Sequence, residues 1–303
     1  MNIIVLGAGA IGSFYGAKLS KHNDVTLIAR QKHVDAINKN GLKVVGFETG
    51  TYKLKAATKV EDIKKNTLVL LTTKVYDSEE AVKNIKNIVK SDTIILCLQN
   101  GLYSEDIAKK IIGNKCLVLR AITNFGAIFL KSGVVDYKSY SYTSIEKNTR
   151  GEELADNFTK CGLNGYASEN IKYDMWKKVI FNCILNPITA ILRIENKGII
   201  NESLNPIKKL IANECVRVAE KEGVKFDIDF VEAINNEFKN SGNVSSMQQD
   251  LIKGKKTEIA YLNGAVAKLG KKYGIECPAN RGIVMAINEI ELANVTRGSN
   301  IEL

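Results

Sequence analysis

Lys178, Asn182 and Asn186 recur every fourth residue in the stretch Met175-Trp176-Lys177-Lys178-Val179-Ile180-Phe181-Asn182-Cys183-Ile184-Leu185-Asn186-Pro187. At that spacing they share one face of a helix. The residues between them are largely apolar, so the polar stripe must find partners when buried. One candidate partner is a neighbouring helix, in a structural hydrogen-bond network. The other is a ligand: a lysine ammonium beside a carbonyl stabilises charge developing on oxygen and then gives up a proton as general acid. Pro187 removes one helical N–H, which kinks the helix or leaves the Cys183 carbonyl without its donor. A second polar group follows in Asn243-Val244-Ser245-Ser246-Met247-Gln248-Gln249-Asp250 and Thr257-Glu258-Ile259. Ser246 and Gln249 have the spacing of a capping box, and a capped helix start offers N–H groups to a carboxylate. Glu258 is then expected about three turns along the same helix, beside Ile259 and Leu262.

A different chemistry is written at the start of the chain. An apolar run, 2–6, leads into Gly7-Ala8-Gly9-Ala10-Ile11-Gly12 and a helical pattern. In that context Gly7 permits a tight turn, Gly9 lets backbone approach a pyrophosphate, and Gly12 allows close helix–strand packing. The helix start supplies N–H groups and partial positive charge to phosphates. A tight strand–helix turn without a ligand is the plainer alternative. Arg30 ends the second apolar run, where an acid would grip a ribose 2′-hydroxyl; an arginine suits a 2′-phosphate instead, unless it only faces solvent. Lys74 follows Thr67-Leu68-Val69-Leu70-Leu71-Thr72-Thr73, and Asn100 follows Thr93-Ile94-Ile95-Leu96-Cys97-Leu98-Gln99. Ligands of open α/β sheets sit beyond such strand ends. A solvated loop lysine and an Asn-Gly turn are the alternatives there.

These residues need two kinds of scaffold. Strands are expected at 2–6, 24–29, 67–73 and 93–99, with helices at 10–21 and 78–90, an alternation that means parallel strands with right-handed crossovers. After about residue 165 strand-like runs nearly vanish, and helices are expected at 173–191, 206–222, 230–239, 247–273 and 281–294. The expectation is an α/β protein with a parallel-sheet dinucleotide-binding domain over 1–165 and an all-helical domain over 166–303.

Composition narrows the partners. The chain has 303 residues and a net charge of +10, but its lysines are interleaved with acids and no aromatic-basic run stands out, so nucleic acid is not expected. No apolar run approaches the roughly 20 residues of a membrane span, and the first residues place glycines where a signal peptide is apolar. Six isolated cysteines and two histidines, His22 and His33, give no metal-ligand spacing. A reduced, cytoplasmic protein without metal is expected. The scarcity of histidine also removes the usual rival to a lysine acid, and neither histidine is expected near a ligand.

Taken together, GAGAIG, Arg30, Gln99-Asn100-Gly101, WKKVIFNCILNP, NVSSMQQD and TEIAYLNG resemble the ketopantoate reductases (2-dehydropantoate 2-reductases), over nearly the whole chain and including Pro278. The resemblance implies a Rossmann domain followed by a helical domain like that of 6-phosphogluconate dehydrogenases, with the site in the cleft between them. It implies NADPH (NADP+ as product), held by Gly7, Ala8, Gly9, Ala10, Ile11, Gly12, Arg30, Lys74 and Asn100. Lys178 matches the general acid, and Glu258 the acid that positions substrate and lysine. Asn182 and Asn186 match the residues on the substrate hydroxyl, Asn243 and Ser246 those on its carboxylate, and Asn100 also borders the substrate. The reaction implied is reduction of a small 2-keto acid, 2-dehydropantoate, to pantoate in pantothenate and coenzyme A biosynthesis. A homodimer stays open. So do an NAD(P)-dependent 2-hydroxy-acid or opine-type dehydrogenase and a non-catalytic NADP-binding regulator, although Lys178 together with Glu258 argues against the last.

Overall fold

Strands buried on both faces read as unbroken apolar runs, and the first strands do so. In the computed structural model, which describes residues 1–299, Ile3 and Val5 of β1 (Asn2–Leu6) join one core with Leu68 and Leu70 of β6 (Thr67–Leu71). Their neighbours Ile4, Leu6, Val69 and Leu71 join a second core on the opposite face. Between β1 and β6 come α1 (Ala10–Leu19), β2 (Asp24–Ile28), α2 (Gln31–Asn40), β3 (Leu42–Gly46), β4 (Gly50–Tyr52) and β5 (Lys55–Ala57). After β6 come α3 (Ser78–Ile85), β7 (Ile94–Cys97), α4 (Ser104–Ile112), β8 (Leu117–Thr123), β9 (Gly126–Lys131), β10 (Val134–Ser139), β11 (Thr143–Glu146), α5 (Thr149–Lys160) and β12 (Gly165–Ser168).

The main sheet runs β12-β11-β8-β7-β6-β1-β2-β5, and every pair from β8 to β5 is parallel. Strand order reverses between β1 and β6, which puts the ligand crevice of a doubly wound sheet beyond their carboxyl ends. One face is covered by Phe14, Tyr15 and Ala17 of α1, and the other by Val82 and Ile85 of α3 with Ala108 and Ile112 of α4. A second sheet, β4-β3-β10-β9, adds Val135 and Tyr137 to the first core.

The helical part holds α6 (Ile171–Leu192), α7 (Asn205–Lys221), α8 (Phe230–Phe238), α9 (Ser246–Ile252), α10 (Asn263–Lys272) and α11 (Pro278–Ser299). The single helix expected over 247–273 is instead broken. Gly254 adopts φ +60° and its N–H bonds Leu251 O at 3.1 Å, while Lys255 N–H returns to Asp250 O at 2.8 Å. This is a left-handed glycine stop that ends α9 after seven residues. A 3₁₀ turn, Ile259–Tyr261, then leads into α10. By compactness the chain divides into two units: Met1–Gln99 with Tyr103–Asp174, and Asn100–Leu102 with the chain from Met175. Among the described residues no helix is long and apolar enough to cross a membrane. All six cysteines are free.

Candidate functional site

In the first unit the glycine turn follows β1. Gly7 has φ +104°, and a Cβ there would lie 2.5 Å from Thr73 N, so only glycine lets the ends of β1 and β6 approach this closely. A Cβ on Gly9 would meet nothing within 4 Å: that face opens on space, which a ligand can enter. Gly9 also caps α1 with no side-chain acceptor. The first-turn N–H groups of Ala10, Ile11 and Gly12 therefore have neither an intrahelical partner nor a cap. Exposed backbone, open space and the positive end of a helix together fit a pyrophosphate.

The turn is braced from behind by a residue set aside in the sequence. His33 is 4% exposed. Its Nδ1 accepts the Gly133 N–H at 2.9 Å, and its Nε2 lies 3.0 Å from Ser13 Oγ, which donates to Ala8 O at 3.2 Å. An accepting Nδ1 and a donating Nε2 describe a neutral ring, and burial holds its pKa below the usual 6.5. His33 does not face the open side of the turn; it fixes the backbone that does. Arg30 is exposed at the start of α2, two residues past β2, and no side-chain cap bond engages it there. Lys74 is half-buried beyond β6, at the start of the 3₁₀ turn Val75–Asp77.

The β7 end is held by a buried arginine. Arg120 donates to Gln99 O at 2.8 Å, to Glu105 Oε2 at 2.7 Å and to Ser104 Oγ. Burial pushes the Glu105 carboxyl up, but the charge and bonds of Arg120 more than offset it, and the net shift is downward.

In the second unit, α6 is buried from Cys183 through Ala190, with Lys178 and Asn182 half-buried and Asn186 at 5% exposure. Ser245, not Ser246, caps α9: its Oγ accepts the Gln248 N–H at 3.4 Å and the Thr189 hydroxyl at 2.8 Å. The Thr189 contact selects between the two adjacent serines, because it draws Ser245 inward against α6 and leaves Ser246 exposed. Ser245 Oγ is also 3.5 Å from Asn186 O, so the cap and the polar α6 face adjoin. Asn243 is half-buried, and its carbonyl accepts the Asn196 N–H at 2.8 Å. Glu258 lies not on a helix but at the entry to the 3₁₀ turn, 7% exposed. Its carbonyl accepts the Tyr261 N–H at 2.9 Å, and Tyr261 O accepts the Leu102 N–H at 3.1 Å. Gly101 packs on the same carbonyl, at a distance where a Cβ would sit 2.5 Å away. The segment carrying Asn100 is thus fastened to the turn carrying Glu258. Asn100, Asn182, Asn186, Lys178, Asn243, Ser246 and Glu258 all belong to this unit, and the glycine turn, Arg30 and Lys74 to the other. Among the described residues no His, Cys, Asp or Glu cluster could hold a metal.

Residues 3–150 match the family model for ketopantoate reductase PanE/ApbA, and residues 170–291 its C-terminal companion. The 2-dehydropantoate 2-reductase of Pyrococcus horikoshii is 37% identical over 288 residues, covering 92% of this chain and 94% of its own. The crystal structure of a PanE/ApbA family ketopantoate reductase from Ralstonia eutropha JMP134 superposes with a TM-score of 0.89 at 30% identity, covering 97% of this chain and 99% of its own. A ternary structure of D-mandelate dehydrogenase with NADH and anilino(oxo)acetate does so with 0.86 at 30% identity and the same coverage. The chain belongs to the ketopantoate reductase family.

Proposed function

We propose that this chain reduces 2-dehydropantoate to pantoate with NADPH, in the synthesis of pantothenate and coenzyme A. The observation that carries the reading is the docking of the Ser245 cap against Asn186. It holds the 243–246 segment, with polar groups for a carboxylate, against the Asn186–Thr189 stretch of the helix that also carries Lys178 and Asn182. When bound, the reduced nicotinamide supplies a hydride to the ketone carbon. Gly7, Ala8, Gly9, Ala10, Ile11 and Gly12 would hold its pyrophosphate, Arg30 its 2′-phosphate, and Lys74 and Asn100 the nearer parts. Lys178 places its ammonium on the ketone oxygen, stabilises the negative charge that develops there, and transfers a proton to it. The neutral amine recovers its proton from solvent. Glu258 orients the lysine and the substrate, Asn182 and Asn186 bind the substrate hydroxyl, and Asn243 and Ser246 its carboxylate.

Lys178→Ala tests this directly. Turnover, followed as loss of reduced-nicotinamide absorbance with 2-dehydropantoate, should fall about 10²–10⁴-fold, the usual worth of a general acid. Near-normal turnover removes Lys178 from the reaction. The likeness to a D-mandelate dehydrogenase that holds NADH favours a second reading, a 2-hydroxy-acid dehydrogenase with a bulkier substrate. Specificity constants for 2-dehydropantoate against aryl 2-keto acids choose between them.

A further inference from the structure

The carboxyl edge of the main sheet is tied sideways by side chains, and Gln99 joins most of the ties. It follows β7 and is 6% exposed. Its Nε2 donates to Thr73 Oγ1 at 3.1 Å and to Ser78 Oγ, and Ser78 in turn donates to Lys74 O at 3.4 Å. The Gln99 carbonyl, through which the chain continues to Asn100, is held by Arg120 at 2.8 Å. On the far side of the same segment, Thr72 Oγ1 donates to Gly7 O at 2.9 Å. One amide therefore connects the β7 end to the Thr73–Lys74 backbone, and that backbone is in close contact with the glycine turn. Gln99 Oε1 is buried with no partner. An unpaired buried acceptor destabilises a fold, so an apolar side chain of the same length would serve stability as well. An amide here sets geometry.

We propose that Gln99 is a positioning residue for the nicotinamide cofactor: through Thr73 and Ser78 it fixes the Lys74 backbone against the glycine turn, without touching the ligand. This rests on the nicotinamide-dependent reading of the site. The test uses full-length protein carrying Gln99→Met, with NADPH affinity read by nicotinamide fluorescence titration in the absence of any keto acid. The dissociation constant should rise about tenfold, the equivalent of roughly 1.4 kcal/mol. The Michaelis constant for the keto acid and the thermal midpoint should stay at wild-type values. Thr73→Val, which keeps shape and removes one tie, should move the dissociation constant in the same direction by less. It decides the matter if Gln99→Met does not fold. Wild-type NADPH affinity in a folded Gln99→Met protein overturns the inference, as does wild-type affinity in Thr73→Val. Because affinity is read without substrate, a wild-type protein that binds NADPH but ignores 2-dehydropantoate would refute the substrate reading alone.

Discussion

Ser245→Ala and Ser246→Ala, one residue apart, should separate a structural hydroxyl from a ligand-facing one. Ser245 is 3% exposed and makes contacts that alanine cannot, with Gln248 N–H, the Thr189 hydroxyl and, weakly at 3.5 Å, Asn186 O. The cap bond to Gln248 N–H is 3.4 Å, beyond the usual N–H···O range. Its loss should therefore cost about 0.5–1 kcal/mol, the lower half of the range for serine caps. The Thr189 contact at 2.8 Å adds about 0.5–1.5 kcal/mol, an ordinary neutral hydrogen bond. The Thr189 hydroxyl is not orphaned by the change, because it keeps Leu185 O at 2.8 Å; only the Gln248 N–H loses its acceptor, the loss already counted for the cap. Ser245→Ala should thus destabilise by roughly 1–2.5 kcal/mol. Ser246 is exposed at the first position of α9 and caps nothing, so Ser246→Ala should change stability by less than about 0.5 kcal/mol. If its hydroxyl holds the substrate carboxylate, losing a bond to a charged group raises the Michaelis constant about tenfold to a hundredfold. Urea unfolding and steady-state kinetics on both variants read the two effects separately. A larger stability loss in Ser246→Ala than in Ser245→Ala would refute the cap geometry. An unchanged Michaelis constant in Ser246→Ala would take that hydroxyl out of the substrate site.

Arg30→Ala should lower the specificity constant with NADPH by about tenfold to a hundredfold and leave that with NADH nearly unchanged, because one charge-assisted contact to a 2′-phosphate is lost. Arg30 is exposed, so the difference should shrink as salt is added. Equal losses with both cofactors would instead mean stacking on adenine, and no loss would return Arg30 to the surface. The His33 prediction concerns pH. Its folded-state pKa is lowered from 6.5 by burial. Below that value the unfolded chain binds more protons than the native one, so the stability of the neutral ring is present above about pH 6.5 and is lost as pH falls. The slope should not exceed about 1.4 kcal/mol per pH unit. His33→Gln should flatten this part of the curve, and urea midpoints with identical pH dependence in wild type and variant would reject it.

What could be read in advance followed from burial and local spacing. β1 and β6 are covered on both faces, so their apolar runs are unbroken and their parallel pairing could be inferred. The glycine turn needs only local backbone to declare itself. The second sheet was invisible for the opposite reason: β3 pairs with β10, 91 residues later by the Val44–Val135 and Lys43–Val134 registers, and β9 is half-exposed along most of its length. Nothing in either segment names its partner. The break after α9 did have a signal, Gly254 among lysines, but the apolar periodicity on both sides outweighed it. The choice between Ser245 and Ser246 had none, since either serine can cap and a threonine 56 residues away decides. His33 is likewise explained only by partners 20 and 100 residues distant, and Gln99 by hydroxyls 26 and 21 residues before it.

Pro187 shows how α6 tolerates its own defect. A proline inside α6 deprives Cys183 O, four residues back, of its helical donor. Asn263 Nδ2 replaces that donor at 3.0 Å and also reaches Asn280 Oδ1 at 2.9 Å. Asn280 Nδ2 continues to Glu214 Oε2 at 2.7 Å, and Glu214 accepts the Ala279 and Asn280 N–H groups at 2.8 and 2.9 Å. A carboxylate from α7 thus caps α11, where the positive end of a 22-residue helix favours it. Buried polar networks can often be exchanged for aliphatic packing at little net cost. That exchange fails here, because it would leave the Cys183 carbonyl unpaired while the proline remains. The network is therefore tied to the proline. With Asn263 answering the broken rung, α6 stays continuous through Asn182 and Asn186, and neither of those amides has to be spent on repairing the helix that carries them.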